Sequence, residues 1–184
     1  MKRNINEKVI FESISNKLSD IDKEISDEYL NWLDRKTSYF KNTFFKTSYG
    51  LQPDNISRGD VVWVEFGINV GTELSDFNTK GHFAVVWAID LGNIIVIPLS
   101  SRDSPGSSMT FDLGYIEELN EKEEFYHSYL KLDAIRSVSK RRLGRIAGKE
   151  GGKITLSSKN INKIKRAIKN SFLNWQILFI TLLL

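Results

Sequence analysis

Arg58-Gly59-Asp60-Val61-Val62-Trp63-Val64, with Phe66 two residues on, is a run of β-branched and aromatic side chains and predicts a strand. It decides the fold class because nothing before it reads that way. Residues 5–33 carry Ile14, Leu18, Ile21, Ile25, Tyr29 and Trp32 in steps of three and four, which predicts a helix with one apolar face. The stripe lies close to a heptad seam, so a helical hairpin or a coiled-coil pairing stays open beside packing on the chain's own domain. Ser38 to Lys46 extends the helical reading, and residues 47–57, with Gly50, Pro53 and Asn55, read as a linker. Beyond the run, residues 67–81 form a loop with three glycines, and residues 82–89 and 94–99 predict two more strands. A Ser/Pro/Gly-rich loop spans 101–108, an acidic stretch at 115–125 reads as a short helix, and 129–138 as one or two short strands. Ser157 or Ser158 caps a final helix whose apolar face is Ile161, Ile164, Ile168 and Phe172. Short strands followed by one late helix predict an α+β fold, a small β-barrel with a helix packed on it.

Composition narrows the chemistry. The 184 residues suffice for one compact domain and an extension. There is no cysteine, so disulfides, thiolate metal sites and thiol nucleophiles are excluded. Two histidines, His82 and His127, argue against a histidine-rich metal cage. The charged first residues do not read as a secretory signal, and a cytoplasmic protein is expected. The apolar tail from Trp175 to Leu184 is about half of what a bilayer requires and reads as a docked or frayed segment. The net charge of +3 hides an asymmetry: residues 51–128 carry a net −9 and residues 129–184 a net +11. A basic third is either a phosphate-binding footprint or the counter-charge of the acidic middle within one fold.

Five blocks at characteristic spacing add a family resemblance. They are Arg58 to Val64; Val70-Gly71-Thr72-Glu73; His82-Phe83-Ala84-Val85-Val86; Ile97-Pro98-Leu99-Ser100-Ser101; and Leu132 to Val138 with Arg142-Leu143-Gly144. In this order the chain resembles the MazF/PemK family of toxin endoribonucleases over roughly residues 57–172. The resemblance implies an SH3-like small β-barrel with a C-terminal helix, preceded here by a helical extension over 1–46 and a linker over 47–56, with an apolar tail at 173–184. It further implies a homodimer that cuts single-stranded RNA without metal or other cofactor, leaving a 2′,3′-cyclic phosphate and a 5′-hydroxyl. A cognate antitoxin is the implied protein partner, and DNA is reached only through it. Two rivals stay open: an inactive relative that binds RNA or protein, and a gyrase-type inhibitor on the same fold.

The same frame nominates site residues. Cleavage through the 2′-hydroxyl needs a base, an acid and donors for the charge that builds on phosphorus. His82 stands where many family members carry a catalytic arginine, and histidine titrates near neutrality. Lys80 is placed to supply the charge that arginine would have given. Ser100 aligns with a catalytic Thr or Ser, and Arg102 is a candidate phosphate contact. Lys131 and Asp133 match an Arg and an Asp that take part in cleavage in one branch, and alternation along a strand puts both on one face. An ordinary cross-strand ion pair is the equal alternative for these two. Arg136 aligns with a family arginine that supports the fold or touches RNA. Thr72 occupies the position of a catalytic histidine in one branch of the family, and Glu73 is expected to hold its loop by hydrogen bonds. Trp63, Phe66 and Trp87 are core aromatics or stacking platforms for bases.

Overall fold

In the computed structural model, which describes residues 6–77, 81–120 and 125–173, the run Val61–Val64 is buried on both faces of a sheet. That explains why it is continuously apolar rather than alternating. Val61, with Val85 and Ile97, points into one cluster with Leu113, Leu130, Ile154 and Ile164. Val62 and Val64, with Ala84, Val86 and Val96, point into a second with Phe66, Ile94 and Val138. Each fully buried side chain of this size contributes about 1.5–3 kcal/mol.

The chain divides into two compact units, residues 1–47 and 48–184. The first is helical: α1 runs Glu7–Leu18 and α2 runs Lys23–Phe44. The single helix expected over 5–33 is therefore two. The break has a local cause, since the extended Asp22 caps α2 by accepting bonds from the N–H groups of Glu24 and Ile25. Ser26 then donates its hydroxyl to the Leu18 carbonyl at 3.2 Å, tying the start of α2 to the end of α1. Phe11, Ile14 and Leu18 line one side of a groove whose other side is Leu30 and Leu33. Ile21, Ile25 and Tyr29 stay exposed, so the stripe is not one continuous seam.

The second unit holds β1 (Asp60–Val64), β2 (His82–Asp90), β3 (Asn93–Ser100), β4 (Thr110–Tyr115), β5 (His127–Lys131), β6 (Arg136–Ser139), β7 (Leu143–Gly144), β8 (Ile154–Thr155) and α3 (Ser158–Ile168). The fold is α+β, and the strands pair antiparallel in the order β4-β5-β3-β2-β1-β7. β6 pairs with the first half of β3, leaving Leu99 and Ser100 to β5, and β8 pairs with β1. Among the described residues this path stays open, so the strands form an open sheet rather than the closed barrel expected. The terminal β7 spans two residues, too short to carry a further ladder. Of the acidic helix expected at 115–125, Tyr115 ends β4, and among the described residues of that stretch a single turn at Glu117–Leu119 is helical. Ser157 caps α3 by accepting from the Asn160 N–H, and Ile164 and Ala167 seat it on the first cluster.

The Asp of the Arg-Gly-Asp block is structural. Asp60 is fully buried and accepts from Lys153 Nζ and Thr155 Oγ1, each at 2.7 Å, and from the N–H and hydroxyl of Ser57. Burial pushes its carboxyl up, but these donors outweigh it and hold the carboxyl below the usual range. The bonds clasp the β1–β8 edge. Other cations of the +11 segment are spent likewise. Arg142 donates to the Phe66 carbonyl, Arg145 pairs with Asp54, and Lys163 donates to the Leu113 carbonyl. Much of the basic third therefore serves the fold.

Candidate functional site

A cleft of about 480 Å³ opens where β2 begins, β3 ends and β5 begins. Its walls include Trp63, His82, Phe83, Ser100, Arg102 and His127. Register explains the grouping. β2 and β3 pair Ala84 with Pro98, and β3 and β5 pair Ser100 with Tyr129. Two residues beyond Ala84 lies His82, level with Ser100, so alternation puts His82, Ser100, Tyr129 and His127 on one face.

His82 is the best-built member. Its Nδ1 lies 2.7 Å from Asp76 Oδ1. The carboxylate is 3% exposed and the imidazole 25%. The other oxygen of Asp76 accepts the Gly67 N–H, and the Asp76 N–H donates back to the Gly67 carbonyl at 3.1 Å. Asn69 braces the loop from within, its amide nitrogen donating to the carbonyl of Leu74 at 2.6 Å. A carboxylate held this way makes Nδ1 the donor and leaves Nε2 as the nitrogen that can exchange a proton. Gly81 makes the approach possible: its φ is +145°, and a Cβ there would lie 2.5 Å from the Val64 carbonyl oxygen. The buried Phe66 ring meets the imidazole edge-on with centroids 6.1 Å apart, and Arg136 covers the same ring at 5.3 Å.

The other nominated residues divide. Ser100 accepts from the Arg102 N–H at 2.9 Å and donates to the Arg102 carbonyl at 3.0 Å, so its hydroxyl shapes the turn that presents Arg102. Lys131 does not reach the cleft walls. Its ammonium donates to Ser104 Oγ at 2.7 Å and Thr110 Oγ1 at 2.9 Å, anchoring the 101–108 loop. Asp133 is not on a strand with it: β5 ends at Lys131, and Leu132–Ala134 form a 3₁₀ turn that leaves Asp133 exposed. Lys131 and Asp133 therefore do not share one face of a strand, and no ion pair joins the two. Thr72 and Glu73 lie exposed in the 67–81 loop. That loop is held by Asn69 and Asp76, while Glu73 joins through its main chain, its N–H donating to Val70 at 3.2 Å. Arg136 sits one ring behind His82. Lys80 and the tail from 174 onward fall outside the described residues. Trp63 lines the cleft and meets Phe83 edge-on at 5.2 Å, Phe66 is core, and Trp87 lies under the Arg58 guanidinium at 3.9 Å.

Sequence reasoning missed a second histidine pair. His127 Nδ1 lies 2.8 Å from Asp112 Oδ2, with side chains 52% and 46% exposed. The pair depends on a bulge: Asp112 faces Tyr129 but Tyr115 faces His127, one residue more on β4 than on β5. Gly114, at φ +84°, takes up the extra residue and donates its N–H to Asp112 Oδ1 at 2.6 Å. Burial pushes the Asp112 carboxyl up, yet the bonds from His127 and Gly114 and the charges of His127 and Lys163 hold it below the usual range. Burial, with Asp112 and Asp103 nearby, raises the Tyr129 phenol. The signal available in the sequence was the spacing of His127 and Tyr129, which alternation places on one face of the strand. Among the described residues no three His, Cys, Asp or Glu gather to hold a metal ion, and no helix is long and apolar enough to cross a membrane.

An antiparallel sheet whose strand ends gather carboxylate-backed imidazoles in one cleft has the equipment of an acid–base catalyst. Residues 57–172 match the family described as PemK-like, MazF-like toxin of type II toxin–antitoxin system, and the chain belongs to that family. The match covers the strands, the cleft and α3, and begins after the helical unit. Comparison with curated proteins finds no match.

Proposed function

We propose that the chain is the toxin of a toxin–antitoxin pair and acts as an endoribonuclease on single-stranded RNA. Family membership supports the toxin role. The observation that carries the cleavage reading is the cleft where His82, backed by the buried Asp76, stands with Ser100 and Arg102. In this reading His82 exchanges a proton with the reacting oxygens, Arg102 faces the phosphate, and Ser100 holds the turn that aims it. Arg136 steadies the Phe66 ring behind His82. A cognate antitoxin covers the cleft, and two copies of the chain form the active toxin. The decisive experiment incubates purified protein with single-stranded RNA in EDTA and sequences the ends. Products with a 2′,3′-cyclic phosphate and a 5′-hydroxyl are expected. RNA that is bound but left whole makes the chain a binding module, and cleavage abolished by EDTA removes the metal-independent mechanism.

A further inference from the structure

We propose that His127 carries the second proton transfer of cleavage, opposite in direction to that of His82; this rests on the endoribonuclease reading. His82 and His127 line one cleft and project from one face of the sheet. In both, Nδ1 is engaged by a carboxylate, Asp76 or Asp112, so in both the free ring atom is Nε2. Neutral, that atom accepts a proton; in the imidazolium it donates one. A surface ion pair with no catalytic part would need neither a common cleft nor a common orientation. The register break at Gly114 brings Asp112 to His127 while Leu113, inside the same bulge, stays in the first apolar cluster.

The step closes as follows. One imidazole takes the proton of the ribose 2′-hydroxyl as the 2′-oxygen–phosphorus bond forms. The phosphorus–5′-oxygen bond breaks, and the other histidine, as imidazolium, gives its proton to the leaving oxygen. The products are a cyclic phosphate and a 5′-hydroxyl, with one histidine a proton richer and the other a proton poorer. Exchange with water restores both.

The test uses a leaving group that needs no acid. An RNA oligonucleotide spanning a cut site found by end sequencing is made with the bridging 5′-oxygen or with sulfur in its place. Wild type, His82→Ala, His127→Ala and His127→Gln are compared in the full-length chain, with thermal melting as the check on folding; His127→Gln remains usable if the alanine variant does not fold. On the oxygen substrate each histidine variant is expected to lose about a hundredfold or more. On the sulfur substrate one position is expected to recover most of its rate and the other none, whichever of the two holds the acid. A folded His127 variant that cuts the oxygen substrate at the wild-type rate overturns the proposal. So does an equal response of both positions to sulfur. A wild-type chain for which end sequencing finds no cut site overturns the endoribonuclease reading itself.

Discussion

The two histidine–aspartate pairs have nearly the same hydrogen-bond length and opposite surroundings. Asp76 is 3% exposed and wrapped by a loop that bonds it at Gly67; Asp112 is 46% exposed and sits on a strand. One geometry is maintained by burial, the other by strand register and a bulge. A buried carboxylate that loses its charge leaves a donor unsatisfied, whereas an exposed one is replaced by water. The same residue type in the same bond is thus expected to couple function to stability at one pair and to separate them at the other.

Four substitutions sharpen that contrast, in falling order of effect on cleavage rate. His82→Ala is expected to lose about a hundredfold or more, with folding intact; initial rates on a fluorogenic single-stranded RNA measure it, and an undiminished rate moves the assignment elsewhere. Asp76→Asn should cost about tenfold to a hundredfold through misdirection of His82. It should also lower the melting temperature, since removing a charged acceptor from a buried network costs about 1–3 kcal/mol. Unchanged melting would mean the loop does not depend on that carboxylate. Asp112→Asn is expected to reduce the rate by less than about tenfold and leave melting in place, because an exposed pair contributes at most about 1 kcal/mol. A large melting shift would erase the distinction between the pairs.

Asp60→Asn should leave the cleavage rate alone, since Asp60 clasps the β1–β8 edge away from the cleft residues. Its effect falls on stability, about 3 kcal/mol for one partner of a buried pair. The pH dependence has a definite sign. The carboxyl is held below its ordinary value in the folded chain, so its contribution is complete above about pH 4 and is lost as pH falls toward the depressed value. Melting of wild type and Asp60→Asn should therefore differ most near neutrality and converge in acid. A gap that widens in acid would contradict the ion pair.

What could be read without coordinates was whatever depends on near neighbours in the chain. The Val61–Val64 run, the glycine-bearing loops, the Ser157 cap and the apolar face of α3 follow from side-chain shape, backbone freedom and helical period, all local properties. His82 was legible because it sits inside an ordered set of family blocks. Local pattern failed where the chain turned unexpectedly, at the Asp22 cap that splits the first helix and at the 3₁₀ turn Leu132–Ala134 that takes Asp133 out of a strand. Only tertiary structure joined Asp76 to His82 through a loop closed at Gly67, and Asp112 to His127 across fifteen residues and a bulge. It alone showed Lys131 bonded to Ser104 and Thr110, and Asp60 bonded to Lys153 and Thr155. The physical reason is that propensity acts over one turn or one strand, whereas a carboxylate's partner is set by which backbones the hydrophobic clusters bring within hydrogen-bond reach.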